Sequence, residues 1–266
     1  MSTDDSAPQA KKESTDDGDW QQKYQDREVC WLPLESNPEM LNEFAHRVGM
    51  SDAFSFNDVW GLDESLTAMI PRPCFALTLL FKPSDKIRDF KLAQQEEIEK
   101  GAVENKVPNG EELFYMKQYV GNACGTIATI HAIANAEPIR SSLTSDAKLT
   151  TFFNECKGKT QEERGALLGQ AAYLHEASEE SASGDTGQTE APEVGEDVDC
   201  HFIAFVEKDG SVFELDGCKA SPINHGPTNG DFVNSAAKII QQKFMQIDPD
   251  SIHWNMMALC EGSLDM

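Results

Sequence analysis

Hydrophobic positions along the chain predict a few strands set among several amphipathic helices. Residues 74–81 are apolar except for Thr78, and a run of this length indicates a buried strand, too short to cross a bilayer. A second pattern has helical spacing, starts at Pro38 and stops at Gly49, residues typical of helix beginnings and ends. Its apolar face consists of Met40, Leu41, Phe44 and Val48.

The remaining patterns continue this alternation of strands and helices. Residues 85–101 and 231–245 are predicted to be helical, and residues 252–259 to form a strand. Thr160-Gln-Glu-Glu163 is a capping box ahead of another helix. Strands flanked by helices on this scale indicate a mixed α/β sandwich.

Two strands joined by Asp209-Gly210 form a predicted β-hairpin whose register can be worked out. Asp-Gly between alternating apolar runs is a strong signal for a two-residue turn. With that turn, His201 faces Cys218, and Asp216 becomes a diagonal neighbour of His201 on the same face of the sheet. Such neighbours lie about 7–8 Å apart at the backbone, which a carboxylate and an imidazole can close to a hydrogen bond.

The register leaves two acids that could hold this imidazole. Asp216 is the cross-strand candidate, whereas Asp199 lies on the same strand, two residues before His201 and about 7 Å from it. A carboxylate fixes the tautomer of an imidazole and stabilises its charged form, so that the ring can accept a proton from a thiol. From the hairpin alone the partner is Asp216 or Asp199.

Cys124 and Gln118 complete a candidate set for thiol chemistry. Cys124 opens a predicted helix, where backbone N–H groups and the helix dipole lower the pKa of a thiol. A lone cysteine at such a place is usually a packed core thiol. Gln118, six residues earlier, offers a side-chain amide for a developing oxyanion. This spacing resembles papain-like proteases, whose order of cysteine, histidine and then carboxylate or amide favours Asp216 over Asp199.

Charge and cysteine usage narrow the class of protein. The 266 residues include 46 acidic and 22 basic side chains, and the net charge of −24 argues against nucleic-acid binding while permitting a basic protein partner. The seven cysteines are odd in number and contain no Cys-x-x-Cys pair, so we expect no disulfide framework, metal site or cofactor. Reduced thiols and the lack of a secretory signal predict a cytoplasmic or nuclear protein.

Two acidic stretches are predicted to lack regular structure. Residues 1–28 are polar and read as an acidic disordered tail, which leaves 29–266 as one catalytic domain. Residues 176–199 contain nine acids and neither Lys nor Arg, and are predicted to form a long loop.

Five sequence blocks, in order, resemble the ubiquitin C-terminal hydrolases, most closely the short single-domain isozymes. The resemblance covers about residues 31–260. The blocks are Trp31-Leu-Pro-Leu-Glu35, residues 116–127 around Cys124, Gly187-Gln-Thr-Glu-Ala-Pro192, His201-Phe-Ile-Ala-Phe205, and residues 213–217 with Pro222-Ile-Asn-His225-Gly.

The resemblance implies both a fold and a reaction. The fold is a papain-like α/β/α sandwich with a central, mainly antiparallel sheet flanked by helices and a knotted backbone. The reaction is cleavage after the C-terminal glycine of ubiquitin. By position, Cys124 is the nucleophile, His201 the base and acid, Asp216 the residue that orients it, and Gln118 the oxyanion donor.

The resemblance also implies how substrates are bound and selected. Residues 176–199 correspond to a crossover loop that straddles the active site and admits small or flexible leaving groups; the matching residues are Gly187, Gln188, Thr189 and Glu190. The expected partner of this monomer is ubiquitin, with no membrane partner. Alternatives are a ubiquitin-like modifier, such as the one attached to cullins, and a catalytically silent ubiquitin-binding protein. The predicted ubiquitin contacts are Pro33, Leu34, Glu35, Asn37, Ile252, Trp254 and Asn255.

Overall fold

A single antiparallel sheet organises the computed structural model, which describes residues 29–100, 113–187 and 198–262. The strands are β1 (Phe54–Asp58), β2 (Cys74–Phe81), β3 (His201–Lys208), β4 (Ser211–Leu215), β5 (Ile223–Pro227) and β6 (Trp254–Glu261). Their order in the sheet is β1-β6-β2-β3-β4-β5, and every neighbouring pair is antiparallel. The strand predicted over residues 74–81 is confirmed.

Helices cover both faces of the sheet. They are α1 (Pro38–Arg47), α2 (Glu64–Thr67), α3 (Asp85–Glu99), α4 (Cys124–Asn135), α5 (Glu137–Ser142), α6 (Lys148–Glu155), α7 (Gln161–Leu168), α8 (Ala172–Ala182) and α9 (Phe232–Ile240), which a π-helical turn, Gln241–Met245, extends. Helix α4 packs on β2 and β3, and α9 contacts β2, β3 and β4.

The two faces of the sheet bury separate hydrophobic clusters, as strand alternation requires. Along β3, Phe202 and Ala204 belong to the cluster under α4, whereas Ile203 and Phe205 belong to the cluster under α9. The predicted α/β sandwich with an antiparallel sheet is therefore confirmed, whereas the knotted path stays a prediction. Within the described residues, no helix combines the length and apolar character needed to cross a membrane.

The hairpin register is confirmed along its paired residues. Ala204 pairs with Leu215 and Lys208 with Ser211, which leaves Asp209-Gly210 as the two-residue turn. Both turn residues have positive φ, 50° and 70°, as a type I′ turn requires. The register carries the end of β4 back alongside the start of β3.

The prediction of an acidic loop over residues 176–199 is wrong at the start of that range. Helix α8 continues to Ala182 because its small side chains, Ala177, Ser178 and Ser181, pack inward at helical spacing. The acids of this stretch occupy the outer face, so composition alone suggested a loop. Gly187 is the last described residue before the gap, and Gln188, Thr189 and Glu190 lie outside the described residues, as does the tail 1–28.

The last strand starts later than the sequence pattern suggests. It begins at Trp254, and Ile252 precedes it with 85% of its surface exposed. The capping box at Thr160 is confirmed, as is a helix start at Pro38, where Asn37 accepts a hydrogen bond from the Met40 N–H. The short edge strands β1 and β5 were not predicted.

Candidate active site

Tight packing brings the first turn of α4 against the beginning of β3. A Cβ added at Gly125 would lie 3.2 Å from the Leu34 Cβ and 3.3 Å from the Phe202 ring, closer than most real contacts, so glycine permits this approach. Asn122 turns the chain into the helix with a φ of 58°. Ala123 is the N-cap residue of α4, and its methyl side chain offers no hydrogen-bond acceptor to the first N–H groups of the helix. Cys124 is thereby placed beside His201.

His201 and Asp216 form a buried pair next to Cys124. His201 Nε2 lies 2.8 Å from Asp216 Oδ1, and the two residues are 6% and 2% exposed. Cys124 hydrogen-bonds the same imidazole. With Nε2 engaged by the carboxylate, Nδ1 is the ring nitrogen that can exchange a proton with Cys124. The three side chains form one continuous hydrogen-bonded chain.

The electrostatics of this chain favour a thiolate–imidazolium pair. Burial raises the pKa of Cys124, but the hydrogen bond to His201 and its charge outweigh this and lower the pKa below its usual value. Burial lowers the pKa of His201, but the charge and hydrogen bond of Asp216, together with the neighbouring Cys218 and Cys124, outweigh it and hold that pKa well above its usual value. Both shifts favour a proton on the imidazole and a nucleophilic sulfur.

The structure separates the two acids that the sequence left as alternatives. Asp199 Oδ2 lies 2.8 Å from Lys82 Nζ, and its side chain is 74% exposed. Asp216 instead contacts His201 directly and also accepts a hydrogen bond from the Cys218 N–H at 3.0 Å. The carboxylate beside His201 belongs to Asp216.

Gln118 lies buried at the same end of the sheet. Its backbone N–H donates to the Gly217 carbonyl at 2.9 Å, and its side-chain Nε2 donates to the Val120 carbonyl at 3.2 Å. A Cβ at Gly217 would stand 3.1 Å from the Gln118 Cβ, so a glycine at 217 allows the close approach. These contacts hold the amide in a fixed orientation next to the turn that precedes Cys124.

Lys91 is a charged residue of the site that sequence analysis missed. Its Nζ lies 2.6 Å from Asp216 Oδ2, and it is only 5% exposed. The Phe81 ring centroid is 4.6 Å from the same nitrogen, a cation–π contact. Lys91 stands four residues after Ile87 on the buried stripe of α3, and a lysine at such a position signals a buried acidic partner.

Asp216 thus has a basic partner on each carboxylate oxygen. Burial raises its pKa, but the charges of Lys91 and His201 outweigh this and hold the pKa well below its usual value.

A neighbouring ion pair joins Glu214 to Lys219 at 3.5 Å, and His225 Nε2 lies 2.9 Å from the same carboxylate. Burial raises the pKa of Glu214, but the Lys219 charge and the His225 hydrogen bond lower it to about 2.

Replacing Lys91 by methionine is expected to raise the pKa of Asp216, because the largest charge that lowers it is removed. As pH falls, Asp216 then takes up a proton at a higher pH, so the acid limb of the kcat profile moves upward. Removing one partner of a buried ion pair also costs about 3 kcal/mol of stability. Lys91→Arg, which keeps the charge, should retain most of both properties.

The matched control for Lys91 is Lys86→Met on the same helix. Lys86 pairs with the buried Asp248 and the exposed Asp250, and its own side chain is 54% exposed. Thermal unfolding and the pH dependence of kcat would be measured for all three variants. An unchanged pH profile in Lys91→Met would limit Lys91 to a packing role.

The two predicted ubiquitin-contact segments meet at the surface. Ser36 Oγ donates to Asn255 Oδ1 at 2.8 Å, which joins the segment before α1 to the start of β6. Pro33 and Glu35 are half-buried there, and Ile252 is exposed. Two other residues predicted to contact ubiquitin have structural roles: Leu34 is buried in the core, and Asn37 caps α1.

Trp254 completes the predicted contact set. Its ring stacks on that of Phe81 with centroids 6.2 Å apart, and its Nε1 donates to the Ser251 carbonyl at 2.9 Å. Phe81 also packs edge-on against His201, with ring centroids 5.8 Å apart. Aromatic packing therefore links the beginning of β6 to the imidazole.

Comparisons with known proteins point to one family. A family model described as ubiquitin carboxyl-terminal hydrolase, family 1, matches residues 31–246. A ubiquitin carboxyl-terminal hydrolase of Aplysia californica is 41% identical over 226 residues, 84% of this chain and 98% of that protein. A ubiquitin carboxyl-terminal hydrolase of Drosophila melanogaster is 39% identical, over 87% of this chain and 97% of that protein. Human isozyme L1 is 32% identical, over 87% of this chain and 98% of that protein.

A solved structure supports the fold. The chain resembles the Trichinella spiralis UCH37 catalytic domain, crystallised bound to ubiquitin vinyl methyl ester, with a TM-score of 0.67. The likeness covers 89% of this chain and 98% of that one at 22% sequence identity, so it bears on the architecture alone.

Proposed function

The chain belongs to family 1 of the ubiquitin carboxyl-terminal hydrolases, and from this we infer that it is a deubiquitinating thiol hydrolase whose nucleophile is Cys124. The observation that supports the assignment of the nucleophile is the buried chain from Cys124 through His201 to Asp216. The lowered pKa of the thiol places it among activated cysteines, whereas burial raises the pKa of the core thiol Cys156.

In the first half of the reaction, the Cys124 thiolate attacks the carbonyl carbon of the C-terminal glycine of ubiquitin. Negative charge develops on the carbonyl oxygen, and the Gln118 amide and the Cys124 N–H donate hydrogen bonds to it. The imidazolium of His201 gives its Nδ1 proton to the departing amine as the carbon–nitrogen bond breaks. A thioester between Cys124 and ubiquitin remains.

In the second half, water clears the thioester. Neutral His201 removes a proton from the attacking water, the carbon–sulfur bond breaks, and ubiquitin leaves with a free carboxylate. Asp216 keeps the imidazole in one orientation through both steps and stabilises its charged form. Lys91 in turn fixes the carboxylate.

The test of this function combines a suicide probe with a turnover assay. One molecule of ubiquitin vinyl methyl ester should react covalently with Cys124 of each protein molecule. Ubiquitin with a fluorogenic C-terminal amide should be hydrolysed catalytically. Binding of ubiquitin without labelling or turnover would instead support the silent binding protein. The hydrogen-bonded chain at Cys124 favours the hydrolase over that alternative.

A second proposal concerns which modifier the enzyme recognises. We propose ubiquitin itself rather than a ubiquitin-like modifier, because the relatives from Aplysia californica and Drosophila melanogaster carry ubiquitin in their names and the acidic chain, with a net charge of −24, complements a basic partner. The ratio of kcat/KM for matched fluorogenic substrates measures this discrimination. A higher value for the ubiquitin-like substrate would reverse the assignment.

Three further properties stay predictions from the sequence. They are a restriction to small or flexible leaving groups, a monomeric state, and a cytoplasmic or nuclear location. All seven cysteines are free thiols, which supports a reducing compartment.

A further inference from the structure

A third ligand-bearing side chain lies beside the His201–Asp216 pair. His201 Nε2 or Nδ1, an Asp216 carboxylate oxygen and Cys218 Sγ all lie within 4.8 Å of one another. His201 and Asp216 are buried, and Cys218 is half-buried. The Cys218 N–H donates to Asp216 Oδ1 at 3.0 Å, which holds its backbone against the carboxylate. The Cys218 thiol takes no part in the proposed hydrolysis.

The chemistry of these three groups matches one kind of ligand. A thiolate, an imidazole and a carboxylate are the donors that Zn²⁺ takes in proteins, and three such ligands leave a fourth position open for water. Around a tetrahedral Zn²⁺ these donors stand about 3.3–3.6 Å apart. The Cys218 sulfur therefore has to move inward by about 1.5 Å at most, and the His201–Asp216 contact has to widen by roughly half an ångström.

We propose that Cys218, His201 and Asp216 form an inhibitory Zn²⁺ site inside the active site. The ion takes the place of the proton between His201 Nε2 and Asp216 Oδ1, and the Cys218 thiol supplies the third ligand. Binding releases the thiol proton and the Nε2 proton to solvent. The inhibition rests on the proposed function, whereas binding of the metal does not.

Occupation of this site would stop the reaction for two reasons. Metal bound at Nε2 removes the hydrogen bond that orients the imidazole toward Cys124. Cys218 Sγ also lies 3.8 Å from Gln118 Oε1, to which its thiol donates. A metal-bound thiolate has no such proton, so it would repel that oxygen and turn the amide away from its present position.

The surrounding charges make the site reversible rather than permanent. Lys91 occupies Asp216 Oδ2, so the carboxylate can offer the ion a single oxygen. Lys91 and the nearby Lys219 both carry positive charge, which opposes a divalent cation. Zinc should therefore act as an added inhibitor that a chelator removes.

Binding and inhibition can be tested separately. Co²⁺ bound by a thiolate gives a near-ultraviolet charge-transfer band, which can be recorded with the full-length protein, Cys124→Ala and Cys218→Ser. We expect the band to persist in Cys124→Ala and to be lost in Cys218→Ser. Zinc inhibition of fluorogenic ubiquitin hydrolysis, relative to each variant's own metal-free rate, should weaken at least about 10-fold in Cys218→Ser.

Cys200→Ser is the matched control, because Cys200 is a half-buried thiol next to His201 in the chain. It should bind Co²⁺ and respond to zinc like the parent protein. A band that disappears in Cys124→Ala and survives in Cys218→Ser would put the metal on the nucleophile and overturn the proposal. So would zinc inhibition that Cys218→Ser leaves unchanged, or no Co²⁺ binding at all. Cobalt binding without ubiquitin turnover would contradict the proposed function and leave the metal site standing.

Discussion

Replacement of Cys124 by alanine is expected to lower kcat by about 10⁴-fold or more, because it removes the sulfur that forms the thioester. The affinity for ubiquitin should change little, since the substitution removes one sulfur atom at the N-terminus of α4 and leaves the surface around Ser36 and Asn255 intact. Hydrolysis of a fluorogenic ubiquitin substrate and calorimetric binding to ubiquitin measure the two quantities.

Selective alkylation provides a control that does not depend on ubiquitin. At neutral pH, iodoacetamide should modify Cys124 first, because its pKa is lowered. Burial raises the pKa of Cys156 to about 11, so that thiol should stay unmodified until the protein unfolds. Mass spectrometry of tryptic peptides identifies the modified residue. Equal labelling of the two cysteines would contradict an activated nucleophile.

Features fixed by short stretches of sequence were predictable. The register of the β3–β4 hairpin follows from the Asp209-Gly210 turn and the alternation of its strands, and so the contact between His201 and Asp216 could be expected. The start of α4 at Cys124 likewise follows from a local pattern. These signals depend on neighbours only a few residues apart.

The features that escaped prediction depend on distant parts of the chain. Lys91 and Asp216 are separated by 125 positions, and no local pattern links them. The last turns of α8 are stabilised by burial of small residues, which outweighs an acidic composition typical of loops. The edge strand β5, Ile223–Pro227, contains Gly226 and Pro227 and forms because β4 offers it a partner.

The second large effect is expected from Asp216→Asn, which keeps the shape of the side chain and removes its charge. The loss of an orienting carboxylate beside a catalytic histidine lowers kcat by about 10⁴-fold in a comparable triad. The Asn amide oxygen can accept from the Cys218 N–H, but its NH2 group then faces Lys91, so the variant should fold with a reduced melting temperature. Asp199→Asn is the matched control, because that exposed carboxylate pairs with Lys82 alone in the described structure. It should turn over near-normally.

The pH profile distinguishes a loss of orientation from a loss of folding. The charge of Asp216 holds the pKa of His201 above its usual value, so its removal lets His201 lose its proton at lower pH and moves the alkaline limb of kcat/KM downward. On the acid side His201 keeps its proton and its charge, which continues to lower the pKa of Cys124, so the acid limb should stay in place. The active pH range should therefore narrow from its alkaline side in Asp216→Asn and stay unchanged in Asp199→Asn. A reduced rate with an unaltered profile would remove Asp216 from its proposed electrostatic role.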